Sequence, residues 1–153
     1  MLIIGSRALQ FHFPDYKSEV KDWDFIGTEN EIVNWLKEAK KKDNGIFYDF
    51  VEYVNLKLYY AKINDIDYEF YVSKENSSDQ HYLKIDNDKE GLVNYASVEV
   101  LYSILGSFIH RNEVNKKHIL DYNFLKNILK KDNLEYITNK RILETDIRFD
   151  SLK

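Results

Sequence analysis

The chain has 153 residues, enough for one domain with a real core or a domain with a helical extension. Its apolar share of 44%, with 12 Tyr and 9 Phe, excludes a disordered chain, and the absence of cysteine excludes both a disulfide framework and a cysteine-bound zinc site. The net charge of −4 argues against tight general binding to nucleic acid, and no apolar run approaches a membrane span or a signal peptide.

The charge is unevenly spread. Residues 1–105 carry 12 Lys+Arg against 19 Asp+Glu, whereas residues 106–148 carry 9 against 6. An acidic first part and a basic second part are expected of a metal site facing a phosphate-handling surface. Lysine-rich solvated helix faces give the same imbalance without any site.

In chain order, Met1–Ile4 reads as a short apolar strand ended by Gly5-Ser6. A short helix follows over Arg7–Phe11 and closes at Pro14-Asp15. Lys21–Ile26 alternates as a strand, with Trp23 and Phe25 on one face and Asp22 and Asp24 on the other. Thr28 and Glu31 form a capping-box pattern. The helix they open buries Ile32, Trp35, Leu36 and Ala39, carries Lys40–Lys42 in its last turn and ends at Asn44-Gly45.

Three aromatic and β-branched segments come next, Ile46–Val54, Leu56–Ile63 and Ile66–Val72. Asn64-Asp65 is a two-residue hairpin signal between the last two. In the third, Ile66, Tyr68, Phe70 and Val72 share one face, and Asp67, Glu69 and Tyr71 the other. Residues 73–91 are polar and read as a mobile connection. Ser97 reads as the N-cap of a helix with Val98, Leu101, Leu105 and Phe108 at helical spacing. A second helix over Lys116–Leu129 turns Ile119, Tyr122, Leu125 and Leu129 inward. Asp132-Asn133 breaks it, and a shorter helix follows near Asn139–Arg148.

Asp22 and Asp24 project to the same side of their strand, and Glu69 joins them if the two strands are neighbours. Two like charges ~4 Å apart cost roughly 4 kcal/mol at an effective dielectric near 20. Such a cluster persists when it is solvated, protonated or holding a cation, and hard oxygen donors suit Mg²⁺ or Mn²⁺. Asp67 shares the face of Glu69 and is the alternative third acid. Gly5 lets backbone approach a ligand closely, Ser6 adds a donor at a helix start, and Arg7 adds positive charge nearby. Each feature alone also occurs as an ordinary turn or a solvated strand face.

Together, Gly5-Ser6, Asp22-Trp23-Asp24 and Tyr68-Glu69-Phe70 resemble the three-part signature of the DNA polymerase beta-like nucleotidyltransferase superfamily, over about residues 1–72. The resemblance implies an α+β chain. A minimal nucleotidyltransferase core, a mixed twisted sheet flanked by helices, would span 1–92, and a helical subdomain over 93–153 would close the cleft. It implies an enzyme that moves a nucleoside monophosphate from a nucleoside triphosphate to a hydroxyl or phosphate acceptor on an RNA end, a protein or a small molecule. Asp22, Asp24 and Glu69 would be catalytic and hold Mg²⁺ or Mn²⁺, and Gly5 and Ser6 would hold the nucleotide phosphates. The gap of 15 residues between Ser6 and Asp22 is slightly long for that family.

His110-Arg111 and Lys117-His118-Ile119-Leu120-Asp121-Tyr122 are similar to short nucleotidyltransferase-like proteins of bacteriophage genomes. By that resemblance Lys117 or Arg111 would reach the triphosphate. His110 is a further nucleotide-site candidate, since the four histidines lack zinc-like spacing. The implied setting is the cytoplasm, of the host if the protein is viral. An inactive binding module of the same fold, an antitoxin or a phage anti-defence protein that holds a nucleotide or protein partner, is the alternative reading.

Overall fold

The computed structural model describes residues 1–17, 19–86, 92–110 and 114–145. Among them the order is β1 (Leu2–Ile4), α1 (Gly5–His12), β2 (Trp23–Gly27), α2 (Glu29–Lys42), β3 (Phe47–Glu52), β4 (Lys57–Ile63), β5 (Ile66–Val72), α3 (Ser78–Asp86), β6 (Asn94–Tyr95), α4 (Val98–Phe108), α5 (Lys116–Leu129) and α6 (Glu135–Thr145). The fold is α+β, with six strands in one mixed sheet ordered β3-β4-β5-β2-β1-β6. The meander β3-β4-β5 is antiparallel, β5 runs parallel to β2, and β1 is antiparallel to β2 but parallel to β6.

Local chemistry accounts for most boundaries. Thr28 and Glu31 make both bonds of the capping box: the Glu31 N–H donates to Thr28 Oγ1, and the Thr28 N–H to Glu31 Oε1, each at 3.2 Å. Ile32 and Leu36 of α2 are fully buried. Asn64 and Asp65 sit at φ 52° and 62°, which gives the two-residue turn the twist of its flanking strands. Ser97 Oγ accepts from the Val100 N–H and caps α4.

The two sheet faces differ. On one, Trp23 and Phe25 of β2 stack beside Tyr68 and Phe70 of β5, and Trp35 of α2 covers them. The helical part joins the sheet through α1 and α3, which contact β2, and is centred on α4, which packs on α1, α5 and α6 and is buried from Val100 to Ile104 and again at Gly106 and Ser107.

Three expectations are corrected. The polar stretch 73–91 is not simply a connection: it contains α3, whose Tyr82 is completely buried. Its polar residues point inward because α6 supplies their partners. Asp79 pairs with Arg141, both buried, and Ser78 donates through its backbone N–H and its hydroxyl to Glu144. Residues 87–91 lie outside the described residues. Ile119 faces solvent, whereas Tyr122, Leu125 and Leu129 pack inward as expected and are joined by the buried Asp121. The last helix begins at Glu135, four residues before the expected Asn139, and residues 146–148 lie outside the described residues. In addition, β6 joins the sheet just past residue 92, so the strand layer draws on both expected parts of the chain.

Candidate functional site

The parallel pairing of β2 with β5 sets Asp24 opposite Glu69, and the antiparallel pairing of β1 with β2 sets Ile4 opposite Asp24. Neighbouring strands lie ~4.8 Å apart, so this register brings the start of the Gly5-Ser6 turn and two acids together from three strands. Asp22 precedes β2, two residues before Asp24. Asp67 lies two residues before Glu69 on β5, is exposed and pairs with Lys62 of β4 at 3.6 Å. The geometry therefore favours Glu69 over Asp67 as the third acid.

Gly5 has φ +66°, a left-handed conformation natural to glycine. A Cβ placed there would stand 2.7 Å from Asp24 Oδ2, so the missing side chain is what leaves room for the carboxylate. Asp24 is pushed up to about 7, first by burial, then by the charges of Glu69 and Asp22, with Lys117 pulling it back. Glu69 accepts a hydrogen bond from the Tyr71 hydroxyl at 2.9 Å.

Gly5, Asp22, Asp24 and Tyr71 border a cavity of about 560 Å³, whereas Glu69 stands beside Asp24 and Tyr71 without lining it. One wall carries Ile4, Gly5, Ser6, Asp22, Asp24 and Tyr71. The facing wall carries the apolar stripe Leu101, Ile104, Leu105 and Phe108 of α4, then Asn115, Lys117, His118 and Asp121 around the start of α5. The His118 ring stacks on Phe108 at 4.7 Å between centroids. The long segment between α1 and β2 crosses this opening with Glu19, Val20 and Lys21. It is fastened to α5 at Asp121, which accepts from Tyr16 Oη and pairs with Lys17 Nζ, each at 2.9 Å. Tyr16 also stacks flat on Phe124 at 3.8 Å.

The expected nucleotide-site residues divide. Gly5, Ser6 and Lys117 line the cavity with Asp22 and Asp24. Arg7 does not: its guanidinium lies over Trp23, 4.3 Å from the ring centroid, and donates to the Lys21 carbonyl at 2.7 Å. His110 is exposed beyond the end of α4, and the histidine at the cavity is His118. Arg111 lies outside the described residues. Arg141 is a cavity residue that pattern reading missed, as are Glu19 and Asn115. It is buried beneath the floor against Asp79, and no local sequence signal marks a buried arginine on a helix whose partner lies 62 residues away.

The donor set fits a hard divalent cation: carboxylate oxygens, one of them half-buried and destabilised by its acidic neighbours, beside an open cavity. Among the described residues no three acidic, histidine or cysteine groups form a ready-made metal cage. This is compatible with Mg²⁺, which is commonly held by one or two carboxylates and completed by substrate phosphates and water. No helix among the described residues is long and apolar enough to cross a membrane.

A family model described as a domain of unknown function, DUF7277, matches residues 1–141. No curated protein matches the chain, and no solved structure matches it.

Proposed function

The chain belongs to the DUF7277 family of domains of unknown function, so its activity is read from its own residues, and we propose that it is a metal-dependent nucleotidyltransferase with a polymerase beta-like core. The observation that carries this reading is the strand register: Asp24 lies opposite both Ile4, which precedes the Gly5-Ser6 turn, and Glu69. Lys117 faces them across a cavity large enough for a nucleotide.

In this reading Ser6 and the backbone at the start of α1 receive the triphosphate, with Lys117 as counter-charge from the opposite wall. Asp22 and Asp24, with Glu69 beside them, would hold Mg²⁺ or Mn²⁺, which neutralises phosphate charge and activates the acceptor oxygen. Glu69 takes the proton of the acceptor hydroxyl and releases it to solvent. The acceptor oxygen forms a bond to the α-phosphorus, the bond from that phosphorus to the bridging β-phosphate oxygen breaks, and pyrophosphate leaves. The apolar stripe of α4 and the segment fastened at Asp121 limit water on two sides of the cavity.

The test is incubation with each α-labelled nucleoside triphosphate and Mn²⁺, following label transfer and pyrophosphate release. Label and pyrophosphate in equal amounts, both lost in Asp24→Asn, are the expected result. Nucleotide-induced stabilisation with neither product favours the inactive binding module. That second reading is supported by the Tyr71 hydroxyl engaging Glu69, the acid assigned to the acceptor.

A further inference from the structure

The acid row does not stop at Glu69. Glu69 pairs in register with Tyr60 of β4, and Tyr60 with Asp49 of β3. Residues in register share a face, so Asp24, Glu69, Tyr60 and Asp49 form one row across four strands. Two residues along, Asp67, Lys62 and Phe47 form a parallel row on the same face.

Helices leave this part of the sheet open. Phe47 is 66% exposed and Tyr60 41%, whereas Tyr59 and Ala61, on the opposite face of β4, are 7% and 4% exposed. An uncovered sheet face bearing large aromatic rings, continuous with a candidate transfer site, is a docking surface. Its charge selects the occupant. Asp49, Asp67 and Glu69 flank the two rings, and Lys62 is the one base in these rows, already paired with Asp67. Aromatic sheet faces that stack nucleic acid bases work with basic surroundings that track the phosphates. Here carboxylates stand where those phosphates would run.

We propose that this face seats the acceptor, resting on the transferase reading above, and that the acceptor is a compact cationic molecule bearing a hydroxyl, such as an amino sugar. From Glu69 to Asp49 the row spans two strand spacings, roughly 10 Å, the reach of a small molecule. The hydroxyl sits at Glu69, the body of the molecule lies over Tyr60, and an ammonium group sits against Asp49, with further cation–ring attraction from Tyr60.

The experiment offers the intact chain glucosamine, its neutral counterpart N-acetylglucosamine, and an RNA oligonucleotide with a free 3′ hydroxyl, each with labelled nucleoside triphosphate and Mn²⁺. The expected result is transfer to glucosamine, with a KM that rises with salt and lies well below that of the N-acetylated compound. Asp49→Asn and Tyr60→Ala, both exposed positions, each raise the acceptor KM by about threefold to tenfold and leave nucleotide affinity unchanged. Preferential labelling of RNA or protein, equal use of the charged and neutral sugars, or variants with unaltered acceptor KM overturns the assignment while leaving the transferase standing. No label in any acceptor and no pyrophosphate overturns both.

Discussion

Asp24 Oδ2 occupies the space that a side chain on Gly5 would need, 2.7 Å from the position of its Cβ. The glycine is thus fixed twice, by its φ of +66° and by the carboxylate packed against it. Gly5→Ala is expected to cost about 1–3 kcal/mol from the left-handed backbone alone. It also displaces Asp24, so nucleotide binding falls by more than the lost stability explains. Urea unfolding and nucleotide titration of the same variant separate the two effects.

Asp24 makes stability depend on pH in a direction opposite to that of a typical salt-bridged carboxylate. Its pKa rises on folding from 3.8 to about 7, with burial the main cause. Below the lower value the group is neutral in both states and has no effect. Between the two, the folded protein holds a proton that the unfolded chain has released, so stability falls as pH rises and stays lower above about 7. Asp24→Asn removes that loss and should stabilise the fold at pH 8 by on the order of 1–4 kcal/mol without metal, with little difference near pH 3.5. Denaturant midpoints of both proteins across this range decide the matter.

The fastening of the α1–β2 segment to α5 has its own signature. Asp121 is 4% exposed and satisfies both Tyr16 and Lys17. Asp121→Ala leaves those two groups without their acceptor at a cost of about 1–3 kcal/mol. Hydrogen exchange should quicken over Phe13–Lys17 first, and the transfer rate should fall because the same segment leads into Asp22. Unchanged exchange in that segment would show that Asp121 does not hold it.

Beneath the cavity, Arg141 and Asp79 are both buried and paired, which joins α6 to α3. Removing one partner of a buried ion pair strands the other, so Arg141→Met alone should destabilise by about 3–5 kcal/mol. Replacing both, as Arg141→Met with Asp79→Leu, should recover much of that loss. A double-variant melting temperature no higher than that of the single variant would argue that Arg141 acts through more than this pair.

Much of the sheet half was legible in the sequence, because its signals are local. Alternation placed Asp24 and Phe25 on opposite faces, Thr28 and Glu31 announced their helix, and Asn64-Asp65 announced the hairpin. Strand order was a different matter. Whether Glu69 reaches Asp24 depends on β5 pairing parallel with β2, and that register, with the Asp67–Lys62 pair, separates Glu69 from Asp67. The helix α3 was illegible for a related reason. Ser78 and Asp79 look like loop residues until Glu144 and Arg141, more than 60 positions away, take up their hydrogen bonds and charge. Arg7 was misdirected by the ring of Trp23, a contact that linear spacing does not reveal.

The place of β1 in the sheet governs when the site comes into being. Its three residues lie between β2 and β6, and β6 sits more than 90 positions along the chain at Asn94–Tyr95. The β4–β5 hairpin closes over two residues, whereas the flank of β1 closes over one of the longest loops in the molecule. Contacts between positions distant in sequence form slowly, because their loop entropy is lost before they are rewarded. The sheet beside the glycine turn is therefore complete only in a chain that reaches Asn94–Tyr95, although the β1–β2 side of the turn closes within the first 26 residues. A fragment ending at Val72 contains every residue of the acid motif and lacks the strand that completes the sheet beside the turn.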